Sequence, residues 1–389
     1  MKSESSPVAA EFAEPATGRR TGLVLTGGGA RSAYQVGVMR AVADLLPRAA
    51  PTPFRVITGT SAGAIVAANV ATYAGHFRTG AVTLERVWRN FHVDQVFRAD
   101  AANMLRAGVR WLAALLSVGR LASPPDALFD NTPLRQLLER RIDFGRMREA
   151  LATGHLEALA ISAAGYSSAR SFAFYESRVR PAADGSPWSR GVPAELRIDH
   201  LMGSSAVPFL FPPVRMHGEY FGDGAMRQLA PLSPAIRLGA DQLFVVGVRD
   251  DRPPTPRSAD AVPSFGQLFG FMLDTLFMDS LHAGVAQLER LNRLLAHSSV
   301  PNPEGLRHIG SLVLVPGADL SAIATRHARQ MPRTVRALLR IMGAANDEAS
   351  ELLSYLLFES TYTRELIALG YADTMARRDE VAAFLDTGV

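Results

Sequence analysis

Two short patterns in this 389-residue chain have the residue types and spacing needed for acyl transfer. The first is Gly59-Thr60-Ser61-Ala62-Gly63, which fits G-x-S-x-G. In that pattern the serine sits on a sharp strand-to-helix turn, and Gly59 and Gly63 must be small for the chain to fold back. A serine hydroxyl is a poor nucleophile until a base takes its proton. The second pattern, Tyr220-Phe221-Gly222-Asp223-Gly224-Ala225, offers such a base: an acid between two glycines after a short apolar run. A partly desolvated Asp223 would have a pKa raised towards working pH and could accept the Ser61 proton directly. Each pattern also has a plainer reading. Ser61 could merely cap its helix, and Asp-Gly is a common β-turn.

Histidine is the usual base, and the chain has nine. None stands in a small-residue loop at the end of an obvious strand. His217 comes closest, but beside Gly218 it reads as an exposed turn residue, and His200 reads as a helix residue.

A third feature lies upstream. Gly27-Gly28-Gly29 separates an apolar run from a helical pattern. Glycines there let a ligand approach the backbone, and the amides point outward at the positive end of the next helix. Such a loop suits a phosphate, or an oxyanion formed during acyl transfer. A dinucleotide fingerprint is only half matched, because Ser32 occupies the third glycine position and no acid follows at the usual distance. A tight turn with no ligand is the third reading, and the loop alone leaves all three open.

The elements that must position these residues follow from periodicity. Residues 21–26 (TGLVLT) and 54–58 (FRVIT) read as buried strands, and 32–46 and 62–73 read as helices. The order strand, loop, helix, strand, turn, helix predicts a parallel sheet covered by helices. Residues 83–153 are expected to be helical with breaks at Pro124-Pro125 and at 130–133, where Asn131 or Thr132 would cap a helix with Pro133 in its first turn. Further strands are expected at 157–163, 171–174, 219–222, 243–248 and 309–315. A Pro-rich stretch at 250–263 precedes a long helix at about 264–296, and helices fill 333–386.

Composition bounds the rest. The hydrophobic fraction of 48% can form a substantial core, and there is no cysteine, so thiol chemistry and disulfides are excluded. Net charge is +4. Lys2 is the only lysine, and the arginines are spread along the chain with no basic block interleaved with aromatics, so nucleic-acid binding is not expected. Residues 1–20 are polar and lack a signal-like apolar segment; a disordered tail and a cytoplasmic location are expected. Residues 104–122 read first as a helix packed on the protein's own core, and alternatively as an amphipathic helix making peripheral membrane contact.

Taken together, the motifs resemble the patatin-like phospholipase family, of bacterial type. The resemblance rests on Gly27-Gly28-Gly29-Ala30-Arg31, Gly59-Thr60-Ser61-Ala62-Gly63, the segment Ser204 to Pro213 and Asp223-Gly224-Ala225, in family order over about residues 20–250. Ser32 stands where the family often has glycine. The resemblance implies a three-layer α/β/α fold, a Ser61–Asp223 dyad without histidine, and an oxyanion site at Gly27, Gly28 and Gly29. Arg31 would order that loop or add charge to it. It further implies a lipid ester substrate and no metal or other cofactor. The catalytic domain is expected over 21–320, with a helical extension over 321–389. Two rivals are a non-catalytic lipid-binding or scaffolding protein on the same fold, and a nucleotide-binding oxidoreductase that uses the glycine loop.

Overall fold

The computed structural model describes residues 18–98, 127–182, 189–250, 264–275, 280–297, 306–341 and 350–386. Most of the expected tail, the 104–122 segment and most of the Pro-rich stretch lie outside these residues. The chain begins β1 (Thr21–Leu25), α1 (Ala33–Leu45), β2 (Val56–Thr60), α2 (Ala62–Thr72) and α3 (Phe77–Trp88). It continues through α4 (Thr132–Arg141), α5 (Phe144–Ala152), β3 (Ala158–Gly165), β4 (Ser171–Ser177) and β5 (Ser189–Pro193). Then follow α6 (Ile198–Ser204), β6 (Val214–Met216), β7 (Glu219–Asp223), α7 (Ser233–Arg237) and β8 (Gln242–Val246). The remaining elements are α8 (Phe265–Asp274), α9 (Ser280–His297), β9 (Gly310–Leu314), α10 (Leu320–His327), α11 (Arg333–Ile341), α12 (Ser350–Leu356), α13 (Ser360–Ala376) and α14 (Arg378–Phe384).

The described strands form one mixed sheet in the order β5-β4-β3-β2-β1-β8-β9. From β3 to β9 every neighbouring pair is parallel. The sheet is buried through this span, which explains why β1, β2, β3 and β8 read as nearly continuous apolar or small-residue runs rather than alternating ones. The chain steps outward from β1 to β2 to β3, then returns to the other side of β1 with β8. With right-handed crossovers this reversal puts helices on both faces. It also leaves a crevice beyond the carboxyl ends of β1 and β8, where open α/β sheets bind their ligands.

Two edge strands, β5 and β6, were not legible in the sequence. β5 (SRGVP) is half-exposed and ends in Pro193, a residue that a central strand would not tolerate. At α4, neither Asn131 nor Thr132 supplies the cap. Asp130 Oδ1 accepts the Thr132 amide at 2.9 Å, while the Asn131 side chain makes no cap bond. Pro133 does lie in the first turn. The helix expected at 264–296 is described as α8 and α9. Among the C-terminal helices, α13 runs against α1, with Gly370 meeting the backbone of Tyr34 and Val38. No helix among the described residues is long and apolar enough to cross a membrane.

Candidate active site

β1 and β2 are parallel neighbours with Leu25 opposite Gly59. The loops that leave their carboxyl ends therefore emerge side by side, the glycine loop from one and the serine turn from the other. Gly27 and Gly28 are buried. Gly29 opens a 3-10 turn, Gly29–Ser32, that leads into α1. Its φ of +53° lies in the left-handed region, and a Cβ there would collide with the carbonyl oxygen of Tyr355 in α12. The leading amides of such a turn have no partner within it.

Ser61 sits between β2 and α2 with φ 54° and ψ −131°, a backbone state that costs a non-glycine residue about 1–3 kcal/mol. Its hydroxyl makes no cap bond to α2, and its amide donates to Ser204 Oγ at 2.9 Å. Gly63 lets the first turn of α2 rest on the end of β1: a Cβ there would lie 2.6 Å from the Leu25 carbonyl oxygen. At Gly59 a Cβ would lie 2.6 Å from the Ala64 Cα.

Sheet register brings Asp223 to the same place. β2 ends at Thr60, paired with Ser162 on β3. The next β3 residue, Ala163, pairs with Asp223 at the end of the antiparallel β7. Because β4 occupies the opposite flank of β3, β2 and β7 lie on one flank and meet end to end. Ser61 and Asp223 are the residues at that junction. Gln228 holds it from below, accepting from Thr60 Oγ1 at 2.7 Å and donating to Ser162 Oγ at 2.9 Å.

The Asp223 side chain is 1% exposed. Burial pushes its pKa up to about 7, against the lowering effect of the Ser61 side chain and of the Ala225 amide. That amide donates to Oδ1 at 2.9 Å, so one oxygen does what an Asp-Gly turn requires. The other, Oδ2, is buried without a hydrogen bond of full geometry. Ser61 is thus near enough to lower the carboxyl pKa, while Oδ2 has no hydrogen-bond partner. Sheet register fixes the proximity.

Arg31 points away from this junction. Its guanidinium is buried and donates to Ser354 Oγ at 2.7 Å, Ser321 Oγ at 2.8 Å and Asp274 Oδ1 at 2.9 Å. It also stacks 4.0 Å over the Tyr355 ring. Burial alone would lower its pKa, but Tyr355 and Asp274 outweigh that and the net direction is upward. Arg31 therefore ties the glycine loop to α8, α10 and α12.

A narrow cavity of about 80 Å³ opens from Ser61 and Gly29. Its walls include Ile65, Leu84, Trp88, Leu138, Phe211 and Phe358. None of the nine histidines lines it. His200 is buried elsewhere, its Nε2 3.0 Å from that of His217, and desolvation and that neighbour push it down to about 4. No cluster of three or more metal-ligating side chains occurs among the described residues.

Three contributors were not foreseen in the sequence: Ser204, which accepts the Ser61 amide, Gln228 at the strand junction, and Tyr355 over Gly29. Ser204 lies inside the motif segment 204–213, whose composition marked it out without revealing this contact. The other two carry no local signal.

Residues 23–236 match the family model described as patatin-like phospholipase. The chain belongs to this family. Membership implies lipid acyl hydrolase activity, and the matched patatin-like region contains the glycine loop, the serine turn and Asp223. No curated protein matches the sequence. Among solved structures, the chain is similar to VipD from Legionella pneumophila, at 13% identity and TM-score 0.32, covering 90% of this chain and 67% of that one. A second is full-length ExoU in complex with SpcU from the type III secretion system of Pseudomonas aeruginosa, at 15% identity and TM-score 0.29, covering 94% and 78%.

Proposed function

We propose that the chain hydrolyses carboxylic esters of lipids, as a phospholipase A, lysophospholipase or related acyl hydrolase, with Ser61 as nucleophile and Asp223 as its base. The observation that carries this reading is the end-to-end junction of β2 and β7 on β3, which sets a strained serine beside a buried carboxylate. Ser61 Oγ bonds to the ester carbonyl carbon while its proton passes to Asp223. Amides of the glycine loop, Gly28 and Gly29 foremost, donate hydrogen bonds to the negatively charged carbonyl oxygen. The carbon–alkoxy bond then breaks and the proton leaves with the alcohol. A water molecule attacks the acyl-serine and gives a proton to Asp223, and the free acid departs as Ser61 is restored. A base held near 7 suits this work better than an ordinary aspartate, because its proton affinity approaches what the transfer demands.

The apolar walls of the cavity suit an acyl chain. At the rim Phe209, between the lining residues Val207 and Leu210, is 58% exposed with φ 66°. A bulky residue in that conformation, presented to solvent, supports peripheral contact with a lipid surface. Fluorophosphonates of graded alkyl length, followed by peptide mapping, test the proposal. Labelling at Ser61 is expected, and a folded protein whose Ser61 stays unmodified by both short and long reagents would refute it.

A further inference from the structure

The cavity beside Ser61 follows three helices. α2 contributes Ile65 and Asn69, one and two turns beyond Ser61; α3 contributes Thr83 and Leu84; and α4 contributes Leu138 and Arg141. The Thr72 hydroxyl donates to the Asp143 carbonyl at 3.4 Å, which joins the carboxyl ends of α2 and α4. Asn69 and Arg141 therefore lie together at the end of the channel far from Ser61. The other walls are mostly apolar, with Thr83 and Ser205 among the hydroxyl side chains they carry.

Asn69 is 4% exposed, lines this apolar channel, and its Oδ1 has no hydrogen-bond partner. A buried amide in that state costs free energy unless a ligand group meets it. Arg141 lines the same end and makes no ion pair or hydrogen bond among the described residues. Eight residues of helix separate Ser61 from Asn69, an advance of about 12 Å, or roughly nine to ten methylenes of an extended chain. An amide both donates and accepts, which is the pattern a hydroxyl satisfies.

Resting on the acyl hydrolase reading, we infer that the channel selects acyl chains bearing a hydroxyl about nine to ten carbons from the ester carbonyl, with Asn69 as its hydrogen-bond partner. Ile65 makes the intervening stretch of α2 apolar, so a hydroxyl placed nearer the ester meets no amide on this helix and loses hydration. Arg141 at the far end then holds the hydroxyl's remaining lone pair or admits a polar chain terminus.

The test compares 4-nitrophenyl decanoate with its 10-hydroxy and 5-hydroxy derivatives in the wild type and in Asn69→Leu. The wild type is expected to favour the 10-hydroxy ester over the 5-hydroxy ester by on the order of tenfold in kcat/KM. In Asn69→Leu that ratio falls to about one. Because each ratio is taken within one protein, a loss of folded variant cancels, and the position scan on the wild type stands even if the variant does not fold. Hydrolysis of all three esters with no positional preference would overturn this inference alone. Hydrolysis of none by folded wild type would sink the hydrolase reading and this inference with it.

Discussion

Replacing Asp223 by asparagine should make the protein more stable and nearly inactive, and the stability gain should depend on pH in one direction only. The folded carboxyl titrates near 7 and the unfolded one near 3.8. Between these values the folded state binds the proton that the unfolded state has released. Unfolding free energy therefore falls as pH rises through this window, and is flat below about 4 and above about 7. At about 1.4 kcal/mol per pH unit, ionising the buried carboxylate sets roughly 4 kcal/mol against the wild-type fold above the window. Asparagine keeps the shape and carries no charge to desolvate. Urea unfolding of both proteins at pH 5, 6, 7 and 8 measures the difference, and titrations elsewhere in the chain cancel in it. The asparagine variant should gain about 3 kcal/mol relative to wild type between pH 5 and pH 8. A difference constant to within about 1 kcal/mol over that range would show that Asp223 is not desolvated as described. The same variant should lose roughly 10²–10⁴-fold in kcat, the usual cost of removing a general base.

Four further outcomes follow from the same geometry. In the wild type, kcat/KM should rise with pH through about 7, because only the ionised Asp223 accepts a proton; a profile still flat at pH 5 would contradict this. Ser61→Ala should lower kcat by at least about 10⁴-fold, whereas Ser61→Gly, freed of the φ 54° strain, should also raise stability by about 1 kcal/mol in urea unfolding. Gly29→Ala should cost roughly 2–3 kcal/mol and slow turnover, since the new methyl meets the Tyr355 carbonyl in a left-handed backbone. Asp274→Ala should cost about 3–5 kcal/mol by stranding the buried Arg31 guanidinium, and Arg31→Lys should not recover a geometry shared among four oxygen acceptors.

Local pattern reveals only part of this site. The first strand–loop–helix repeat is written in contiguous residues: apolar runs at 21–25 and 56–60, each closed by small residues at the turn. The serine turn follows because its geometry is enforced within five positions. Asp223 could be picked out as a residue but not placed, because its position depends on β7 pairing with β3 beyond the end of β2, a choice made by residues 60 positions apart. Arg31 shows the same limit. Its neighbours in sequence suggest a loop that meets an anion, while its side chain is claimed by groups 243 to 324 residues away. Asn69 lies inside a clean helical pattern, and only the three-helix wall reveals that its Oδ1 has no partner. β5 and β6 escape for a different reason: short edge strands, half-exposed, carry little hydrophobic signal to read.

The Arg31 lock has a consequence for how this molecule is made. The serine turn and the glycine loop are synthesised well before α12, which carries groups that fasten the loop. Until α12 arrives, Gly29 has no carbonyl resting above it and the guanidinium has neither its aromatic shelf nor Ser354. A nascent chain or a fragment cut before residue 350 would hold both Ser61 and Asp223 and still lack the clamp that fixes the loop. Ordering of the glycine loop is thereby tied to the synthesis of α12 rather than to the first half of the chain.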